Sequence, residues 1–278
     1  MINWLTSYPK SGNTWVRMLL NAYFDDGHLN INVMPWGAGD NRRFPYQAVS
    51  PIPIDQLSRE DVVLLRSAAL MNLVAALGQK PMLVKSHHCH GSINDITLFP
   101  ARLTRRAFYM VRDPRDVAVS WANHAKISID EAIDHMENEE HTIEEDEVFF
   151  HTVSSWSNHV NSWLSDKLFK VHLIKYEKLL DDPHKILYGI LEAIGFEDIE
   201  SDRIERAVKA TEFERLKKQE QDNKFEEAPE GITFFQNGGS NWKNVLTSEQ
   251  INRIESVHYE TMERLGYRTT TLRSKKAG

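Results

Sequence analysis

The order of patterns in the first 24 residues constrains the fold more than any other feature. A short apolar segment, Ile2 to Thr6, precedes a turn marked by Tyr8-Pro9 and Gly12. Apolar residues at the spacing of one helix face follow: Trp15, Met18, Leu19, Ala22 and Tyr23. A strand, a tight turn and a helix in this order direct the first N–H groups of the helix at an anion. The sequence therefore predicts an anion-binding loop after the first strand.

The rest of the chain repeats this alternation of strands and helices. Ser58 and Asp61 form a capping-box-like start of a helix that Gly78 ends. Further strands are predicted at Pro81 to His87, Ala107 to Arg112 and Phe169 to Tyr176, and further helices at Pro114, at Pro183 and from Thr247 with Gln250. The pattern predicts a single α/β domain, residues 1–278, with a mostly parallel sheet flanked by helices. In such folds ligands bind beyond the carboxyl ends of the strands.

Composition narrows the class of protein. The 278 residues are 41% hydrophobic and carry a net charge of −7, which argues against a broad nucleic-acid-binding surface. Cys89 is the only cysteine, so an intrachain disulfide is impossible. Neither a secretory signal nor an apolar run of membrane-spanning length is visible, so we expect a cytoplasmic protein without a membrane span. The oligomeric state cannot be inferred.

The first candidate site is the loop "YPKSGNTW", residues 8 to 15. Lys10, Ser11 and Thr14 would add side-chain donors to the N–H groups of the helix start. The alternative is an ordinary polar turn.

The second candidate site is "LVKSHHCHG", residues 83 to 91. Side chains alternate along a strand, so Lys85 and His87 would share a face and could bind an anion and abstract a proton. His88 and His90 are expected to be polar surface residues. A metal site is the less favoured alternative, because adjacent residues of a strand point in opposite directions.

The third candidate site is "YMVRDPRDVAVSW", residues 109 to 121. Arg112 ends a strand and Ser120 lies about two turns into the next helix, so the two could bind a second phosphate. The alternative is an ion pair of Arg112 or Arg115 with Asp116 that stabilises the turn.

The segment from Asp130 to Glu147 is rich in acidic residues and contains neither Lys nor Arg. A solvated surface helix or a mobile loop is the favoured interpretation. A lid that contacts the substrate is the alternative.

Together these motifs resemble the cytosolic-type sulfotransferase family, which uses 3′-phosphoadenosine-5′-phosphosulfate (PAPS). The family's loop Tyr-Pro-Lys-Ser-Gly-Thr-Thr-Trp is similar to residues 8–15, and its Lys-Thr-His to Lys85-Ser86-His87. Its Arg-x-x-x-Asp-Val-Ala-Val-Ser is matched by Arg112 and by Asp116 to Ser120. Its Tyr-Glu-x-Leu is matched at Tyr176, and its Thr-x-Phe at Thr211-Glu212-Phe213. With "WKNVLT" the matches extend in order to residue 247.

The resemblance implies a P-loop-like sulfotransferase fold and transfer of SO3 from PAPS to an acceptor hydroxyl of a small molecule, natural product or glycan. The product would be 3′,5′-ADP (PAP), and no metal would be needed. It implies these roles: His87 as general base; Lys10 and Lys85 as catalytic cations; Lys10, Ser11, Gly12, Asn13 and Thr14 at the 5′-phosphosulfate; Arg112 and Ser120 at the 3′-phosphate; Trp15, Tyr176, Thr211 and Phe213 at adenine.

The chain departs from the family near its C-terminal end. Where the family has Arg-Lys-Gly before the Trp, this sequence has Gln236-Asn237-Gly238. Amides donate hydrogen bonds without charge, so we expect a weaker hold on the 3′-phosphate unless another basic residue compensates.

Two other functions share parts of this pattern. A P-loop kinase-like phosphotransferase would have a similar strand, loop and helix, but neither its Gly-Lys-Ser/Thr ending nor a magnesium carboxylate is evident. A non-catalytic PAP sensor would need Arg112 and Ser120 but not His87. The acceptor cannot be inferred from the sequence.

Overall fold

A parallel sheet of five strands forms the centre of the fold, in the order β2-β3-β1-β6-β9. The computed structural model describes residues 1–78, 81–144, 146, 148–165, 168–235 and 242–270. The strands are β1 Ile2–Ser7, β2 Ala38–Gly39, β3 Met82–Ser86, β4 Ser92–Ile93, β5 Ile96–Thr97, β6 Thr104–Val111, β7 Thr142–Glu144, β8 Phe150–Thr152 and β9 Lys170–Lys175. The pairs β4-β5 and β7-β8 are separate antiparallel hairpins.

Helices connect the strands of the sheet, as parallel pairing requires. They are α1 Asn13–Phe24, α2 Arg43–Gln47, α3 Arg59–Leu77, α4 Pro114–Ala125, α5 Ile129–Glu137, α6 Trp156–Leu164, α7 Tyr176–Asp181, α8 Pro183–Ile194, α9 Ser201–Ala210, α10 Phe213–Asn223, α11 Trp242–Val245 and α12 Ser248–Leu265.

Both faces of the sheet are buried. Trp4 of β1 belongs to the apolar cluster that includes Trp156 of α6 and Ile254 of α12. Leu5, the next residue along the strand, belongs to the cluster on α1, α8 and α9. Because adjacent side chains of a strand point to opposite faces, two layers of helices cover the sheet. The predicted fold class, α/β with a parallel sheet flanked by helices, is confirmed.

The predicted helix starts are also confirmed. Ser58 accepts a hydrogen bond from the backbone N–H of Asp61, and the Asp61 carboxylate accepts one in return, which completes a capping box. Thr247 and Gln250 form the same arrangement at the start of α12. Pro114 occupies the first turn of α4, where its missing N–H has no cost.

The predicted strand boundaries differ from the structure by up to three residues, and one difference changes the type of element. The strand predicted at Phe169 to Tyr176 ends at Lys175, and Tyr176 begins α7. Tyr176 and Leu179 are both buried one helical turn apart, so the apolar residues after Lys175 follow a helical period rather than a strand period. Tyr176 therefore lies beyond the carboxyl end of β9, at the start of a helix.

A buried ion pair fixes the chain after β2. The Asp40 carboxylate lies 2.6 Å from the Arg66 guanidinium of α3, and their side chains are 0% and 4% exposed. Arg66 also donates to the Leu98 carbonyl and the Tyr46 hydroxyl. Breaking such a pair leaves one charge buried without compensation, which costs more than the pair contributes to stability.

We expect Asp40→Asn to lower the free energy of unfolding by about 3–5 kcal/mol, because the Arg66 charge would stay buried without its carboxylate. Urea denaturation measures the loss. The matched control is Asp181→Asn, which breaks a pair with Lys178 whose side chains are 65% and 69% exposed. The control should cost less than about 1 kcal/mol. Equal losses in the two variants would contradict the importance of the buried pair.

Candidate active site

The carboxyl ends of four neighbouring strands open into one cleft of about 850 Å³. The ends carry His87 after β3, Lys10 after β1, Arg112 after β6 and Tyr176 after β9. Most residues predicted for the site line this cleft: Lys10, Gly12, Asn13, Thr14, Trp15, Lys85, His87, Arg112, Ser120, Tyr176 and Phe213. Gln236, Asn237 and Gly238 lie outside the described residues.

The loop after β1 depends on a residue without a side chain. Gly12 caps the N-terminus of α1 with φ of 98°. A Cβ atom at this position would lie 2.5 Å from Cδ2 of Tyr176. Both the left-handed backbone and the contact with the ring therefore require glycine. The loop packs against Tyr176 while the first N–H groups of α1 stay available to a ligand.

Lys10 of this loop lies near two cations from other strands, Arg112 and Lys85. Its Nζ lies 4.0 Å from the centre of the Phe234 ring, in a cation–π contact. Burial, and then the positive charges of Arg112 and Lys85, lower the pKa of Lys10 to about 7. Three cationic side chains this close together favour an anion between them.

Arg112 lies on the ring of Tyr176. Its guanidinium carbon is 4.4 Å from the ring centre, and Nη1 donates to the Lys10 carbonyl at 3.3 Å. Nε is buried and has no hydrogen-bond partner within the described residues. Stacking of this kind fixes the guanidinium plane and leaves its edge to bind an anion.

Arg115 and Asp113 stabilise the turn after β6. Arg115 donates to Asp113 and to Glu255, each at 2.6 Å, and Asp116 accepts from the backbone N–H of Trp242 at 3.1 Å. Within the described residues, the Asp113–Arg115 pair therefore replaces the predicted alternative, an ion pair of Arg112 or Arg115 with Asp116. Arg112 lines the cleft instead.

Three aromatic rings form one wall of the cleft. The ring of Trp15 lies 5.1 Å from that of Phe213 and 6.2 Å from that of Tyr176. The buried Trp15 Nε1 has no acceptor among the residues that the structure describes. Such a wall suits a planar heterocycle that carries a hydrogen-bond acceptor.

Two of the predicted site residues, Asn13 and Thr211, direct their side-chain donors to the backbone, and a third, Ser11, is buried. The side-chain amide of Asn13 donates to the Leu5 carbonyl at 3.2 Å, although Asn13 lines the cleft. The Thr211 hydroxyl donates to backbone carbonyls at the end of α9. Ser11 is fully buried, and its hydroxyl has no partner within the described part of the chain. Asn13 and Thr211 therefore support the walls of the site through their side chains.

His87 is held as a neutral imidazole. Its Nδ1 lies 2.9 Å from the Ser7 carbonyl, which can only accept, so Nδ1 carries the proton. Nε2 is then the basic nitrogen. Burial, and then the charges of Lys85 and His151, hold the pKa of His87 well below its usual 6.5. A neutral imidazole has one nitrogen without a proton, and Nε2 can therefore accept a proton.

The expectation that His88 is a polar surface residue is wrong. His88 is 5% exposed, and its Nδ1 accepts from the backbone N–H of Thr152 at 3.1 Å. His90 is half-buried, with its ring stacked on Phe99 at 5.6 Å. The hairpin β7-β8 covers the end of β3, which the local sequence could not indicate. Within the described ranges, the His, Cys, Asp and Glu residues form no group of three that could hold a metal ion.

Sequence reasoning missed several residues of the cleft. His124, Trp121, His151 and Phe234 all line it. His124 lies four residues after Ser120, so the helical period places the two on one face of α4, and this signal was available. His151 and Phe234 reach the cleft only through tertiary contacts.

The acidic segment is a surface helix followed by a hairpin. Arg253 of α12 binds Asp134 and Glu137 of α5, and Arg59 of α3 binds Glu144 of β7 at 2.8 Å. Ile143 and Glu144 line the cleft. The favoured interpretation holds for α5, whereas the hairpin contributes a wall of the candidate site.

The sequence profile of the sulfotransferase domain matches residues 3–266, and the chain belongs to that family. It is 26% identical to Sulfotransferase 1A1 of Bos taurus, over 92% of this chain and 81% of that protein. It is 25% identical to Cytosolic sulfotransferase 13 of Arabidopsis thaliana, over 93% of this chain and 76% of that protein. The resemblance seen in the sequence is confirmed.

A solved structure shares the fold. The crystal structure of retinol dehydratase in complex with androsterone and inactive cofactor PAP superposes with a TM-score of 0.62. The two chains are 18% identical, and the match covers 98% of this chain and 83% of that one. Separately, no helix in the described part of the chain is long and apolar enough to cross a membrane.

We expect Gly12→Ala to lower the free energy of unfolding by about 1–3 kcal/mol, because φ of 98° is strained for alanine and the new methyl group would press on Tyr176. Thermal or urea unfolding measures the effect. The control is Gly189→Ala on the exposed face of α8, where an added Cβ meets no atom within 4 Å. This control should gain about 0.5–1 kcal/mol. A Gly12→Ala protein as stable as wild type would refute the requirement for glycine.

Proposed function

We propose that residues 1–278 form one cytoplasmic sulfotransferase domain that transfers a sulfuryl group from PAPS to an acceptor hydroxyl and releases PAP. The observation that carries the proposal is the cleft that joins Lys10, His87, Arg112 and Tyr176 at neighbouring strand ends. Membership of the sulfotransferase family and the relative named a cytosolic sulfotransferase support it.

The residues of the cleft fit PAPS. The cluster of Lys10, Lys85 and Arg112 suits two phosphate-bearing ends. Burial, and then the charges of Arg112 and Lys85, lower the pKa of Lys10 to about 7. The buried Arg112 Nε and Trp15 Nε1 have no partner within the described residues, as expected of donors reserved for a ligand. The rings of Trp15, Tyr176 and Phe213 suit adenine.

Each side chain then has a role that follows from its surroundings. Lys10 and the N–H groups at the start of α1 would hold the 5′-phosphosulfate and stabilise charge on the departing phosphate. Lys85 would stabilise the transferring group. Arg112 and Ser120 would hold the 3′-phosphate, and Thr14 would add a hydroxyl at the 5′ end. PAPS supplies the sulfuryl group.

His87 is the proposed general base. With its proton on Nδ1 and bound to the Ser7 carbonyl, Nε2 can take the proton of the acceptor hydroxyl. The acceptor would lie between His87 and the walls formed by Trp121, Ile143 and Phe234. We therefore propose a small-molecule acceptor with an apolar body next to its hydroxyl group.

Ligand-dependent thermal stability tests the proposal. We expect PAP to raise the melting temperature, whereas ATP with magnesium and AMP should have much smaller effects, because neither offers the 3′-phosphate that Arg112 would bind. A rise with ATP and magnesium alone would favour a phosphotransferase instead. Turnover of labelled PAPS with phenols, alcohols, amines and glycans then separates an enzyme from a PAP sensor.

His87→Ala tests the base. We expect turnover to fall by about 10²–10⁴-fold with unchanged PAP affinity, because the variant lacks only the proton acceptor. In wild type, activity should fall as the pH drops through the pKa of His87. Because burial and Lys85 lower that pKa, the loss should occur below pH 6.5. A variant with near-wild-type turnover, or a loss centred above pH 7, would contradict the assignment.

A further inference from the structure

His151 is a second imidazole on the acceptor side of the cleft. The hairpin places it opposite Ile143 of β7, and its ring is 2% exposed. It lines the same cleft as His87, with the ring centres 5.8 Å apart and an angle of 82° between the planes. The two rings are therefore nearly perpendicular, and His151 packs against the imidazole of the proposed base.

His151 also belongs to a buried polar group behind that base. Its ring centre lies 4.6 Å from that of His88, and His88 is fixed to the hairpin by Thr152. The charges of Arg66, His151 and His88 hold the pKa of Asp40 below its usual value, although burial of Asp40 raises it.

Other neighbours also act on His87, but they do so without packing a ring against it. The Ser7 carbonyl fixes one ring nitrogen, and Lys85 projects from the same strand. His159 of α6 donates from Nε2 to the backbone carbonyl of His87 at 3.1 Å, so this contact is not with the His87 ring. Of the described groups that lower the pKa of His87 through their charge, only His151 also packs its ring against that of His87.

We propose that His151 is a positioning residue for sulfuryl transfer: it packs against the ring of His87 and fixes that ring against the hairpin. The inference rests on the proposed function, in which His87 accepts the acceptor proton. In this role His151 acts through His87.

The test uses two variants and one control in the full chain. His151→Gln keeps a polar side chain without an imidazole, and His151→Phe keeps the ring shape. The control is His172→Asn on β9, a half-buried histidine beside Phe108 that does not line the cleft. PAP-dependent thermal shifts establish that each variant is folded.

The primary readout is the NMR titration of the His87 imidazole, assigned by loss of its signal in His87→Ala. We expect the titration midpoint of His87 to rise in both His151 variants, because neither glutamine nor phenylalanine can carry a positive charge. In His172→Asn the midpoint should stay at the wild-type pH. The ¹⁵N chemical shifts of the His87 ring should show that Nδ1 carries the proton in the wild-type protein. An unchanged midpoint in both His151 variants would overturn the proposal.

Turnover supplies the second readout. We expect kcat to fall roughly tenfold in His151→Gln, and less in His151→Phe, because small misplacements of a catalytic group slow the reaction. The acid limb of the pH profile should move to higher pH in both. Wild-type kcat with an unmoved limb would refute the role. If no acceptor is sulfated, the proposed function fails, whereas the NMR titration still decides whether His151 controls His87.

Discussion

The contact between Gly12 and the ring of Tyr176 is the constraint on which the site depends. With hydrogen in place of a side chain, the loop after β1 can lie against a ring that starts a helix beyond β9. The same ring carries the Arg112 guanidinium on its face and lies 6.2 Å from Trp15. One missing methyl group thus brings together side chains from three strand ends.

Electrostatics divides the cleft into two regions. Toward β1 and β6, burial and then the charge of Arg112 lower the pKa of Lys10, and this cationic region suits phosphates. Toward the β7-β8 hairpin, the imidazoles His87 and His124 are kept neutral, with burial the main cause and nearby lysines the next. A reaction that joins an anionic donor to a proton-bearing acceptor needs both regions side by side.

The parts of this site that the sequence predicted share one physical property. Lys10 lies in the loop after β1, Lys85 near the end of β3 and Arg112 directly after β6. The carboxyl edge of a parallel sheet brings strand ends together wherever they lie in the chain. His151 has no such marker, because it reaches the cleft through a three-residue strand whose pairing with Ile143 is set by tertiary packing. The prediction for His88 was wrong for the same reason. Alternation along β3 predicts the face to which a side chain points, but not that the β7-β8 hairpin covers that face.

The depressed basicity of Lys10 has a calorimetric consequence. A group whose pKa is about 7 takes up a fraction of a proton near neutral pH when a bound phosphate raises that pKa again. Anion binding at the loop would then draw protons from the buffer, and the measured heat would include the ionisation enthalpy of that buffer. Titrations in two buffers of unlike ionisation enthalpy would therefore count the protons that the loop takes up.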